Sequence, residues 1–418
     1  MKPIHLDGRS LTRTQLVMVA GGAPVELDDG ALEAVARAAA FLAEQVRREE
    51  PIYGVSTGFG SNADKLLGAH PLRDELPGAA PSGRSLHAEL QRNLIVTHAV
   101  CVGEPMPADV VRAMLCIRIN TLLRGHSGIR VETLQALTAM LNAGVVPVVP
   151  SLGSVGASGD LAPLSHLAIV LLGGGEALLD GERMPGGEAL ARAGLRPVEL
   201  SYKEGLALNN GTAQMLAMGV LALHRLEDLL DTADLAAAMT IDAFAGRLGA
   251  FDADVHALRP HPGQVEVAAR LRALLDGSTL ADIAYHLVPR FRFWMPESWD
   301  TAEAQALRFD IGWDWVAANQ RHGREKFYER FKPFRGGKKH QPQDSYSLRC
   351  IPQVHGAVRD AAAHARDVLV RHRALEALRG VARVPRHGVA PRKGVRVLRA
   401  LVVGVLRVVV ARHGDPFV

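Results

Sequence analysis

Apolar residues recur at spacings of three and four over most of the chain, and this pattern predicts a mainly α-helical fold. Asp28-Asp29-Gly30 precedes an Ala-rich helix over 31–48. A second runs from Leu86 to Val102. Pro107-Ala108-Asp109 opens a third that reaches about Arg124, with Val110, Met114, Ile117 and Leu122 on its apolar side. Ser127 is placed to cap a fourth, with Glu132 in the first turn and Gly144 as its stop. Lys203 to about Leu230 forms a long helix, followed closely by another over 232–244. Val145 to Pro150 is short, β-branched and bounded by proline, which predicts extended chain. No internal repeat is visible.

Two stretches break the pattern. Residues 281–343 hold all four tryptophans and end in Arg335-Gly336-Gly337-Lys338-Lys339-His340, the texture of a surface insertion. From about Val368 the chain becomes Arg, Val, Gly and His in irregular order, with no acidic residue from Ala377 to Gly414. These shifts divide the sequence into an N-terminal domain over 1–200, a helical domain over 201–367 carrying the insertion, and a basic tail over 368–418.

Charge changes the picture only at that tail. The net charge of +4 would hint at a nucleic acid partner, but residues 371–418 hold eleven Lys/Arg against Glu376 and Asp415 alone, so the rest is mildly acidic. No aromatic residues interleave with those arginines, which argues against nucleic acid. Cys101, Cys116 and Cys350 form neither a disulfide framework nor a zinc pattern, and a reducing cytoplasm fits them. The start lacks a signal-peptide core, and the apolar run over 397–411 is broken by Arg399 and Arg407, so no membrane partner is expected.

The segment with the most chemical content is Gly153-Ser154-Val155-Gly156-Ala157-Ser158-Gly159-Asp160-Leu161-Ala162-Pro163-Leu164. Three glycines at spacing three allow unusual dihedrals. As a phosphate-binding loop it lacks the following Lys-Ser/Thr and the dinucleotide spacing. It also reads as a plain turn before a helix starting near Asp160. A third reading is chemical. The Gly159 amide nitrogen attacks the Ala157 carbonyl carbon and water is lost, closing a five-membered ring. Loss of the Ser158 hydroxyl as a second water then leaves an exocyclic methylidene, an electrophile made from backbone.

Ala-Ser-Gly-Asp-Leu-Ala-Pro-Leu resembles the signature of the aromatic amino acid ammonia-lyases, whose prosthetic group is this 4-methylidene-imidazol-5-one. Other landmarks follow in order. Tyr53-Gly54-Val55-Ser56-Thr57-Gly58-Phe59-Gly60 looks like the family's tyrosine loop. Leu90-Gln91-Arg92-Asn93-Leu94 with Thr97-His98 looks like its substrate-selecting helix. Glu204 to Thr212 resembles its asparagine segment, and Gln343-Asp344-Ser345-Tyr346-Ser347-Leu348-Arg349 its tyrosine-arginine segment. The match spans roughly 5–365 with a gap at the insertion.

The resemblance implies a reaction and roles. An aromatic amino acid loses a β-proton and its α-amino group, giving an unsaturated acid and ammonia. Tyr53 matches the catalytic base, a phenol whose site must favour its ionised form. Arg349 matches the partner of the substrate carboxylate, for which a guanidinium fork is suited. Tyr346 and Asn210 match residues that orient substrate and bond the electrophile, and Gln343 a further polar residue. Thr97-His98 stands where the family's histidine enzymes place Ser-His, so His98 implies L-histidine as substrate, with tyrosine or another aromatic as alternatives. Each has a plainer reading: a packed tyrosine, a solvated arginine, a structural Asn or His.

The resemblance further implies a fumarase/aspartase-like bundle of long helices, a homotetramer, and no metal or dissociable cofactor. It fades near Ala365-Arg366-Asp367-Val368-Leu369, where family members continue into further helices and pocket residues, so the bundle is expected to be incomplete at its C-terminal end. The tail reads as translation of a GC-rich gene in a shifted frame. Three readings stand: an active lyase, a 2,3-aminomutase of the same family, or a truncated, inactive relative.

Overall fold

A computed structural model of the chain describes residues 2–48, 52–55, 57–59, 86–244, 246–278, 281, 334–335, 338–339 and 344–379. The described chain is mostly helical, as its periodicity predicts. It divides into two units, Met1–Ala222 with the chain from Arg366, and Leu223–Ala365.

The first unit begins with β1 (Ile4–Leu6), α1 (Arg13–Ala20), β2 (Val25–Leu27) and α2 (Asp29–Arg47). β1 and β2 pair in parallel, with Leu6 opposite Leu27. Asp28 caps α2 through the Ala31 amide, at the boundary its sequence indicates. α3 (Leu86–His98) is followed by β3 (Val102–Pro105), α4 (Ala108–Leu122), α5 (Val131–Asn142), β4 (Val146–Pro147) and β5 (Pro150–Leu152). Then come α6 (Leu161–Leu171), β6 (Glu176–Leu179), β7 (Glu182–Pro185), α7 (Gly186–Arg192) and α8 (Glu204–Asn209). β3 pairs with β5, and β4, β6 and β7 form a small antiparallel sheet. α4 is the central helix, packed against α1 and α5, with Met114, Leu115, Ile119 and Leu122 fully buried. α3, α6 and α8 pack on one another.

α9 (Ala213–Ala243) runs from the first unit into the second. The second unit continues with a 3₁₀ turn (Leu248–Phe251), α10 (Ala253–Ala257) and α11 (Pro262–Leu274). After the short strands β8 (Phe334–Arg335) and β9 (Lys338–Lys339) come α12 (Tyr346–Arg349) and α13 (Ile351–Arg379). Ile241, Phe251, Val267, Leu271 and Ile351 form the core of this unit. Its ionic counterpart is Asp234, fully buried on α9. That carboxylate accepts from Arg270 Nε at 2.8 Å, Arg359 Nη2 at 2.5 Å and His355 Nδ1 at 2.8 Å. α11 and α13 meet backbone to backbone: a Cβ on Gly356 would lie 2.4 Å from the Gln264 nitrogen.

Three predicted boundaries change. The helix from Leu86 stops at His98, because the chain turns out to pair Val102 with Leu152 and the Cys101 amide donates to His166 Nε2 at 3.0 Å. Ser127 is not a cap; α5 starts after Arg130, whose own amide is bonded by Glu204 Oε1. The break expected near residue 231 lies instead at 210–212, and α9 runs unbroken to Ala243. The helix Glu204–Ala243, taken across that break, is long and apolar enough to cross a membrane by length and composition; 67% of its apolar window is buried inside the fold. Most of the Trp-rich insertion lies outside the described residues. α13 passes through the 367/368 boundary as far as Arg379.

Candidate active site

The Ala157-Ser158-Gly159 turn joins β5 to α6. Ser158 has φ +60° and Gly159 φ +110°, so two successive residues fold the chain back on itself. For a serine this region costs roughly 1–2 kcal/mol, and the surroundings hold it there. The Asp160 amide donates to the Gly211 carbonyl at 2.6 Å. A Cβ on Gly159 would sit 2.1 Å from that same oxygen, so only glycine fits. Ala157 and Ser158 are exposed in this unit, whereas Gly159 and Asp160 are buried.

Asp160 is the anchor. Its Oδ1 accepts from the Ser154 hydroxyl at 2.8 Å and its Oδ2 from the Met215 amide at 3.0 Å. The carboxylate therefore caps the first turn of α9 rather than its own helix α6, where its charge complements the helix N-terminus. Burial pushes its carboxyl above the usual range, against the opposing pull of the amide and hydroxyl donors.

The asparagine segment is fixed from two sides. Glu204, fully buried at the start of α8, pairs with Arg130 Nη2 at 2.8 Å and accepts the Ser201 amide at 2.6 Å. At the other end Arg118 donates to the carbonyls of Ala207 (2.5 Å) and Asn210 (3.1 Å). α8 thus ends at Asn209, and Asn210 takes an extended conformation beside the Gly211 carbonyl that holds the turn. Asn210 is half-buried.

Tyr53 lies in a turn closed by Val55 N–H to Ile52 O (3.0 Å) and by the Gly54 amide donating to Thr57 Oγ1 (3.3 Å). Its ring meets Phe59 edge to face at 6.0 Å, and it is 52% exposed. α3 carries this turn: His87 Nδ1 contacts the Val55 carbonyl at 3.1 Å, and Gln91 reaches the Gly54 carbonyl. His98, at the far end of α3, has Nδ1 2.8 Å from the Leu94 carbonyl of its own helix, and Thr97 bonds the Asn93 carbonyl. Among the described residues of the first unit, the turn at Ser158, Asn210 and Tyr53 are therefore joined through α3 and α8 by direct contacts.

In the second unit, Tyr346 and Arg349 stand on α12, 72% exposed and half-buried respectively. Asp344, just before them, is buried and accepts the Arg247 amide at 2.5 Å. Gln343 lies outside the described residues.

Sequence reasoning left Gln91, Arg118, Glu204 and Asp160 without roles. Arg112 and Arg118 do carry a signal, since both interrupt the apolar run of α4; each is buried and donates to backbone carbonyls.

The sequence model of the aromatic amino acid lyase family matches residues 11–374. The histidine ammonia-lyase of Gloeobacter violaceus is 45% identical over 365 residues, which cover 87% of this chain and 58% of that protein. The histidine ammonia-lyase of Symbiobacterium thermophilum is 43% identical, with 88% and 59% covered. The chain thus spans less than two thirds of the length of these relatives. Among solved structures, tyrosine aminomutase from Streptomyces globisporus superposes with a TM-score of 0.69 at 30% identity, covering 97% of this chain and 68% of that one. Histidine ammonia-lyase from Trypanosoma cruzi gives 0.64 at 32%, covering 89% and 57%. The left-handed serine turn, the segments that hold it and the match across most of the sequence have one reading: the chain belongs to the aromatic amino acid lyase family.

Proposed function

We propose that this chain carries the machinery of an ammonia-lyase that converts L-histidine to urocanate and ammonia. The observation that carries the chemistry is the turn at Ala157-Ser158-Gly159. Its two positive φ values and the glycine-only space at Gly159 fit residues that close a methylidene-imidazolone ring. That group supplies an electrophilic carbon which makes the substrate amine a leaving group. Tyr53 takes the β-proton as the carbon–nitrogen bond breaks. Asn210 orients the reacting groups from the extended residue next to the turn. Arg349 pairs with the substrate carboxylate, and Tyr346 and Gln343 orient it. Histidine as substrate is supported by the Thr97-His98 pair and by relatives named histidine ammonia-lyase at 43–45% identity. We assign the working enzyme to a homotetramer in the cytoplasm, a setting compatible with three free cysteines.

Likeness to tyrosine aminomutase favours a second reading, in which the amine returns at the β-carbon. Purified protein given L-histidine, with Ser158→Ala as control, tests both. Urocanate absorbance together with an intact mass short of two waters, both lost in the control, supports the lyase. A β-amino acid product selects the aminomutase. A chain lacking both the mass deficit and any product is an inactive relative.

A further inference from the structure

We infer that Gln91 is a positioning residue that sets the Tyr53 turn against the asparagine segment with one side-chain amide. Gln91 is fully buried on α3. Its Oε1 accepts the Gly205 amide at 3.0 Å, in the first turn of α8. Its Nε2 donates to the Gly54 carbonyl, beside Tyr53, at 3.4 Å. The two partners lie on separate segments, and each faces a different end of the same planar group. A side-chain amide supplies both the donor and the acceptor that this arrangement needs.

The packing leaves no room for a substitute link. A Cβ on Gly205 would stand 2.7 Å from the Gln91 carbonyl and 3.1 Å from its Oε1, so α8 approaches α3 as closely as backbone allows. One turn earlier on the same face of α3, His87 reaches the Val55 carbonyl, and its ring meets Tyr202 edge to face at 4.8 Å. His87 and Gln91, four residues apart, thus form two rungs on one helix face. They grip the peptide groups on either side of Val55, and both reach toward α8 or the residues just before it. The helix that ends in Thr97-His98 therefore also carries the tyrosine turn, so the segment read as choosing the ring and the residue read as taking the proton share one rigid mount.

The inference rests on the proposed role of Tyr53 for its catalytic meaning, and its geometry is tested apart from activity. Hydrogen exchange of Gln91→Met is compared with the parent chain, with peptides over 176–185 as the control for folding. Exchange over 52–59 and 204–210 is expected to rise about tenfold or more, while 176–185 stays unchanged. His87→Phe, which keeps a ring against Tyr202, is the second variant should Gln91→Met fail to fold; it is expected to loosen 52–59 alone. Unchanged exchange over 52–59 in both variants overturns the inference. In the same proteins, urocanate formation is expected to lose kcat about tenfold or more, with KM for histidine little moved and the pH profile of kcat displaced. An unaltered kcat and pH profile in a folded, active Gln91→Met overturns the catalytic part. A parent chain without activity, whose variants still show loosened exchange, sinks the functional reading and leaves the clamp standing.

Discussion

At Gly159 two demands meet on one residue. The backbone has φ +110°, and the space a side chain would fill holds the Gly211 carbonyl. Gly159→Ala must therefore strain the turn by about 1–3 kcal/mol or push the Gly211 segment away. Either outcome moves the amide nitrogen that ring closure requires. The expected result is a folded protein of lower melting temperature whose intact mass keeps both waters, read by calorimetry and mass spectrometry. The residues at this scale were legible in unequal measure. Ser158, Asn210 and Tyr53 sit in contiguous motifs, and a local pattern is visible in a linear text. Gln91 and Asp160 also lie within those motifs, but their partners are 114 and 55 positions away. No spacing rule reports a hydrogen bond between segments so far apart. Gln343, Tyr346 and Arg349 were read from the same kind of motif, and the last two do share the short helix α12.

Helices were legible where an apolar stripe or a cap marked them, as Asp28 does for α2. They were not legible where distant groups set their ends. The break at 210–212 has no proline, and Gly211 alone is a weak signal; it exists because Arg118 takes the last carbonyls of α8 and Asp160 caps the first turn of α9. The pairing of α11 with α13 makes a similar point. In an isolated helix Gly356→Ala would gain about 1 kcal/mol. Here the added carbon meets the Gln264 backbone, and overpacking of this kind costs about 1–3 kcal/mol. Net destabilisation in a denaturant titration is expected; stabilisation would show that the helices separate freely.

The same unit should also be sensitive to acid. Burial alone would push the Asp234 carboxyl up, but hydrogen bonds from His355, Arg359 and Arg270 outweigh it and hold the group below its ordinary value of 3.8. The unfolded chain therefore takes up this proton first. The stabilisation is complete above about pH 4 and is lost as the pH falls through 3.8 toward the folded value. Asp234→Asn should cost about 3 kcal/mol or more at neutral pH, because Arg270, Arg359 and His355 lose their buried partner, and the variant's stability should fall less steeply below about pH 4.

Over the molecule as a whole, apolar side chains remain uncovered on two helices of the second unit. Leu235 and Met239 on α9 are 49% and 66% exposed, and Val354 and Val358 on α13 are 62% and 41% exposed. Each pair is four residues apart and so lies on one helix face, a pattern associated with association surfaces. The proposed homotetramer predicts a light-scattering mass near four times the 44.8 kDa of the chain, and a smaller mass for Met239→Glu. A monomeric parent would remove the tetramer from the proposal.

The bond from the Asp160 amide to the Gly211 carbonyl has a consequence in time. During synthesis, residues 153–160 leave the ribosome well before residue 211 exists. Until then nothing clasps Ser158 in its left-handed form, and the nascent loop samples ordinary conformations. Only after about fifty further residues have emerged, and the start of α9 has docked, does the turn become a fixed shape. The geometry required for ring closure is thus a late product of folding, and a chain halted between those two segments would carry every atom of the turn without its form.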